Sequence, residues 1–122
     1  MVSLGGTRVL VVENDDLNAD LLQLQLEQEG LQVLGSSGSV ASARQMIEQS
    51  RPQLVFLDFR LAGDEESTPL AELLAGLGIP FIVATGMDTA SLPPAFDAGV
   101  KLAKPYTGKE LAAALQQAMR QD

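Results

Sequence analysis

A chain of 122 residues with a net charge of −8 and 46% hydrophobic residues is sized for one domain around a single core. It has no histidine and no cysteine, which excludes Ser-His-Asp and Cys-His catalysis, disulfides, and zinc sites built on imidazole or thiolate. The acidic balance argues against a nucleic-acid surface or docking on anionic lipid, and no apolar run approaches the roughly 20 residues of a membrane span. The opening stretch MVSLGGTR (residues 1–8) lacks the apolar segment of a secretory leader, so a cytoplasmic location is expected. Any chemistry must rest on Asp, Glu, Lys, Ser, Thr, Tyr or Arg, and carboxylate oxygens favour hard cations such as Mg²⁺ or Ca²⁺.

RVLVV (Arg8–Val12) is a continuous β-branched run, the pattern of a strand buried on both faces. Residues 15–29 then carry Leu17, Leu21 and Leu24, and also Leu22 and Leu26, at three- and four-residue spacings, which predicts an amphipathic helix stopped at Gly30. LQVLGS (31–36) reads as a second strand. Ser39 is placed to cap a second helix to about Ser50, with Val40, Ala43, Met46 and Ile47 inward. LVFL (54–57) is a third strand, followed by an acidic loop at 63–67 that is either a second cation site or a solvated loop with first-turn helix charges. Pro69 suits the first turn of a third helix, with Leu70, Leu73, Leu74 and Leu77 inside. PFIVAT (80–85) is a fourth strand. Pro93 and Pro94 restrict residues 91–98 to a short helix at most. VKLA (Val100–Ala103) is a brief fifth strand, and Thr107 with Glu110 forms a capping box for a last helix with Leu111, Leu115 and Met119 inward.

Strands alternating with helical segments imply parallel pairing and right-handed crossovers, hence an open doubly wound α/β sheet with helices on both faces. The last helix runs to Arg120, which sets the expectation of one domain over residues 1–122, with its core at about 8–120 and no output domain.

In such a sheet ligands bind outside the carboxyl ends of the strands. Those ends carry Glu13, Asn14 and Asp15, then Asp58, Thr85 and Lys104. Taken singly, each has a plain reading: Asp15 as a helix cap, Thr85 as a turn hydroxyl, Lys104 as a surface charge. Together they form an oxygen-rich cluster with one ammonium, suited to Mg²⁺-assisted phosphoryl transfer onto the Asp58 carboxylate.

With VLVVEND at Glu13-Asn14, LVFLD at Asp58, VATG at Thr85 and KPY at Lys104, the chain resembles the receiver domain of bacterial two-component response regulators, notably the small stand-alone receivers. The resemblance implies a flavodoxin-like (βα)5 fold with strand order 2-1-3-4-5. It implies a phosphoacceptor, not an enzyme in the usual sense, whose Asp58 takes a phosphoryl group from a partner histidine kinase or phosphotransfer protein. It further implies Mg²⁺ held by Glu13, Asn14, Asp58 and the backbone carbonyl of Arg60, roles for Thr85 and Lys104 at the phosphoryl group, and a cis peptide at Lys104-Pro105. Output would run through contacts with a downstream protein, the chain being a monomer or weak homodimer.

Several positions depart from the family's pattern. Asn14 stands where the family has a metal-ligating Asp, which removes one negative charge and lowers the expected Mg²⁺ affinity. Arg60 offers its guanidinium either back to Asp58 or Glu13, in the metal's space, or outward to Asp64, Glu65 or Glu66. Lys101 takes the place of the family's aromatic switch residue, and the segment 99–104 is two residues short. Tyr106 is either a partner-facing aromatic or a lid over the sheet edge. These departures favour a second reading, a phosphorylation-independent interaction module. A third, a haloacid-dehalogenase-type phosphohydrolase, requires its nucleophile after the first strand and a general acid, neither of which fits DFR at Asp58.

Overall fold

The computed structural model describes residues 3–120; parts of the opening stretch and of the 1–122 domain span therefore lie outside the described residues. Five strands, β1 (Arg8–Val12), β2 (Gln32–Ser37), β3 (Leu54–Asp58), β4 (Phe81–Thr85) and β5 (Val100–Ala103), pair in parallel in the order β2-β1-β3-β4-β5, as expected. Four α-helices connect or follow them: α1 (Asp16–Gln28), α2 (Val40–Ser50), α3 (Thr68–Leu77) and α4 (Gly108–Met119). No helix among the described residues is long and apolar enough to cross a membrane.

The period-two alternation of strand side chains divides the interior into two cores. Val9, Val11, Leu54 and Phe56 face α1 and α4, whereas Leu10, Val12, Val55 and Leu57 face α2 and α3. With helices on both faces, the central strands must be apolar at every position, which is why they read as unbroken runs.

Helix ends follow local chemistry. Asp15 caps α1 by accepting from the backbone N–H groups of Leu17 and Asn18. At the far end Gly30 adopts φ +93°, with its N–H on the carbonyl of Glu27 and that of Leu31 on Leu26, the paired bonds of a Schellman stop. Ser39 caps α2 through the Ser42 N–H, and the Thr107–Glu110 capping box on α4 forms in both directions.

Two expectations are corrected. Of the two leucine stripes on α1, only Leu22 and Leu26, with Ala19, turn inward; Leu17, Leu21 and Leu24 are 77%, 55% and 58% exposed. The short helix expected at 91–98 is instead two 3-10 turns, Thr89–Ser91 and Pro94–Ala98. Pro93 and Pro94 open the second turn, which is held by its buried Phe96.

Candidate functional site

β1 and β3 are neighbours, and their parallel register brings the residues after Val12 and the end of β3 to one rim of the sheet. Glu13 and Asp58 are both buried there. β4 and β5 end at the same rim, where the Lys104 N–H donates to the Thr85 carbonyl at 2.8 Å. The Lys104 ammonium lies 2.7 Å from Asp58 Oδ1 and 3.8 Å from Glu13 Oε1. Three of the residues singled out from sequence thus share one ion-paired cluster.

Burial governs the electrostatics. It lifts the Asp58 carboxyl from 3.8 to about 7; the Glu13 side chain adds to the rise, and the hydrogen bond and charge of Lys104 offset only part of it. Thr85 is buried, and its Oγ1 accepts from the Met87 N–H at 3.0 Å. Asn14 is exposed, pressed against the β2–α2 turn at Gly38, where an added Cβ would stand 3.2 Å from the Asn14 Cα. Asp15 is occupied as the α1 cap and is no replacement for Asn14.

Arg60 resolves toward the surface. Its guanidinium lies 3.9 Å from Glu66 and 5.4 Å over the Phe59 ring, leaving the space beside Asp58 to Lys104. The acidic loop is likewise accounted for: Glu66 meets Arg60, and a Glu65 carboxylate oxygen accepts the Val40 N–H at the start of α2. Lys101 forms an ion pair with Asp97 at 2.6 Å. The Lys104-Pro105 bond is cis. Tyr106 is half-buried 6.1 Å from the Phe56 ring, and burial together with the Asp58 and Glu13 charges pushes its hydroxyl up to about 12.

Ser67 escaped the reading of the sequence. It is fully buried at the N-cap position of α3, yet its hydroxyl caps nothing and donates instead to the Asp58 carbonyl at 2.6 Å, while its N–H donates to the Phe59 carbonyl. A serine before Thr-Pro reads as a helix cap, and only the tertiary path of the loop redirects it.

Among the described residues no group of three or more His, Cys, Asp or Glu stands where it could hold a metal. The oxygen set here is smaller: two carboxylates, Glu13 and Asp58, converge on one cationic group. Such a set fits a hard divalent cation that keeps several of its waters.

The sequence matches the Response regulator receiver domain family over residues 9–116. It is 30% identical to the DNA-binding response regulator MtrA of Mycolicibacterium smegmatis, over 94% of this chain and 51% of that protein. The chain thus spans about half the length of the curated relatives it matches. Among solved structures, SdrG from Sphingomonas melonis Fr1 superimposes with a TM-score of 0.81 at 35% identity, covering 98% of this chain and 99% of that one. The BeF3-activated conformation of SdrG from Pseudomonas melonis Fr1 gives 0.77 at 37% identity, covering 98% of each chain. The chain belongs to the response regulator receiver domain family.

Proposed function

We propose that the chain is a phosphoacceptor: Asp58 takes a phosphoryl group from the phosphohistidine of a partner histidine kinase or phosphotransfer protein, and the domain signals through contacts with a downstream protein. The observation that carries this reading is the buried Asp58 carboxylate held 2.7 Å from the Lys104 ammonium. A carboxylate in that position is a nucleophile with a cation already in place for the charge it acquires. Thr85, at the next strand exit, is the hydroxyl for a phosphoryl oxygen. Mg²⁺ would be held by Glu13, Asn14, Asp58 and the Arg60 carbonyl, and would supply charge neutralisation at the phosphoryl oxygens. The likeness to SdrG, a protein solved in a BeF3-activated conformation, supports the same reading.

The test is intact mass after incubation with acetyl phosphate and Mg²⁺. One added phosphoryl group, mapped to Asp58, is the expected result. A second reading, an interaction module that works without phosphorylation, draws on the neutral, exposed Asn14 and on the Lys101–Asp97 pair at the switch position. It expects no added mass in a protein that remains folded.

Asn14→Asp is expected to raise Mg²⁺ affinity about tenfold, because ligand charge is a principal determinant of affinity in oxygen sites. Arg60→Ala is expected to leave it unchanged, since its guanidinium lies on Glu66. A magnesium titration of both variants decides; a rise in Arg60→Ala would return that residue to the metal's space.

A further inference from the structure

The exit of β3 is clamped from two sides. Asp58 is the last residue of the strand, and the Phe59 N–H donates to the Ala84 carbonyl of β4 at 3.1 Å. From the loop side Ser67 donates twice, its hydroxyl to the Asp58 carbonyl at 2.6 Å and its N–H to the Phe59 carbonyl at 2.8 Å. One residue thus holds two successive carbonyls. The next in line, that of Arg60, accepts no hydrogen bond among the described residues. Ser67 is fully buried where a serine ordinarily caps a helix, yet α3 has no side-chain cap. Its hydroxyl serves the backbone of Asp58 instead of the helix.

We propose that Ser67 is a positioning residue for phosphoryl transfer: its paired hydrogen bonds fix the stretch that presents the Asp58 carboxylate and the Arg60 carbonyl. The proposal rests on the phosphoacceptor reading and adds a residue to its site. Ser67 acts through the backbone alone. A carboxylate turns with the backbone that bears it, so tying the Asp58 carbonyl keeps Oδ1 at its 2.7 Å contact with the Lys104 ammonium. The tie is not easily replaced. Without the hydroxyl, the carbonyl of a buried residue is left short of a donor, and the loop must shift to find one. That shift moves Asp58 and Arg60 together, so the rate of phosphoryl uptake and the affinity for Mg²⁺ fall together.

Ser67→Ala removes the donor and little volume. Its initial rate of labelling by acetyl phosphate at saturating Mg²⁺ is expected to fall about tenfold, and its Mg²⁺ affinity several-fold, as on losing a partner that orients a ligating group. Affinity is read without donor, from the amide shifts of residues 58–60 in a magnetic-resonance titration. Ser67→Thr keeps the hydroxyl and is expected to restore most of both. Thr68→Ala removes the neighbouring hydroxyl, which meets Glu66 at 3.5 Å, and is expected to change neither. All rates are measured far below the urea midpoint of each variant. A purely structural serine lowers that midpoint and leaves the rate and affinity of the folded protein unchanged; this result overturns the proposal. Should the threonine methyl not fit, seen as a midpoint below that of Ser67→Ala, Ser67→Cys takes its place as a weaker donor. A rate no better than that of alanine then overturns the proposal. Failure of the phosphoacceptor reading looks different, because no protein, wild type included, is then labelled. The Mg²⁺ titration then decides Ser67 alone: weaker binding in Ser67→Ala, restored by the hydroxyl, retains it as the residue that positions the cation site. Equal binding, or none in either protein, overturns it.

Discussion

Asp58→Asn is expected to abolish phosphoryl uptake and, in metal-free buffer, to make the protein more stable than the wild type above pH 7. Both effects come from one property, the burial of a carboxylate beside a second one. The amide has no nucleophilic oxygen anion, so labelling should fall to background. The stability effect follows from linkage. Folding raises the Asp58 carboxyl from 3.8 to about 7, so the folded state binds this proton more tightly than the unfolded one. The stability so gained is complete below pH 3.8 and is lost as the pH rises through about 7, where the buried group must ionise. At 1.36 kcal/mol per unit the loss amounts to a few kcal/mol. The neutral amide escapes it. Urea unfolding of both proteins at intervals from pH 5 to 8 isolates the group, because every other titrating residue is common to the two. The stability difference should grow in favour of Asp58→Asn across that range. A difference that stays flat would mean that Lys104 holds Asp58 ionised throughout. Mg²⁺ added above pH 7 should narrow the gap in the wild type's favour, since a cation that binds the folded, ionised form stabilises it by mass action.

The parts of this site that were legible in sequence are those fixed by backbone topology. Apolar runs ending at Glu13, Asp58, Thr85 and Lys104 place those residues at one rim of a parallel sheet whatever the side chains do, and the rim is where they are found. The capping roles of Asp15, Ser39 and Thr107 were legible because they are decided within four residues. What lay hidden depends on the third dimension. Leu17, Leu21 and Leu24 satisfy helical periodicity as well as Leu22 and Leu26 do, and only the position of the sheet selects between the two stripes. Arg60 had acids within reach on both sides. The loop's return path, which pairs Arg60 with Glu66 in an isolated bridge, settles it outward. Ser67 belongs to the same loop: its hydroxyl ties the Asp58 carbonyl because residues 59–66 double back, a closure with no local signature.

The opposite end of β4 and β5 carries a large stability effect for the addition of one carbon. Gly99→Ala should cost about 3 kcal/mol, at the upper end for an overpacked core. The backbone is not the reason, since Gly99 sits at φ −116°, which any residue adopts. The reason is Phe81: a Cβ on Gly99 would stand 2.3 Å from its Cε2, well inside contact distance. The Phe81 ring is buried and has little room to yield, for it stands edge-on to Phe96 at 6.4 Å, and Phe96 stands edge-on to Phe59 at 5.4 Å. Phe59 directly follows Asp58, so a shift of the stack reaches the Asp58 backbone. Gly99→Ala is therefore expected to slow phosphoryl uptake as well as to lower the urea midpoint. Gly76→Ala supplies the control, because in α3 a Cβ there meets nothing within 4 Å and alanine favours the helix by up to about 1 kcal/mol. Phe81→Leu in the Gly99→Ala background should recover part of the loss, a coupling that a double-mutant cycle reads directly. An unchanged midpoint in Gly99→Ala would place the Phe81 ring elsewhere and uncouple the 3-10 segment from Asp58. A lowered midpoint without recovery would move the strain from the ring to the backbone of β5.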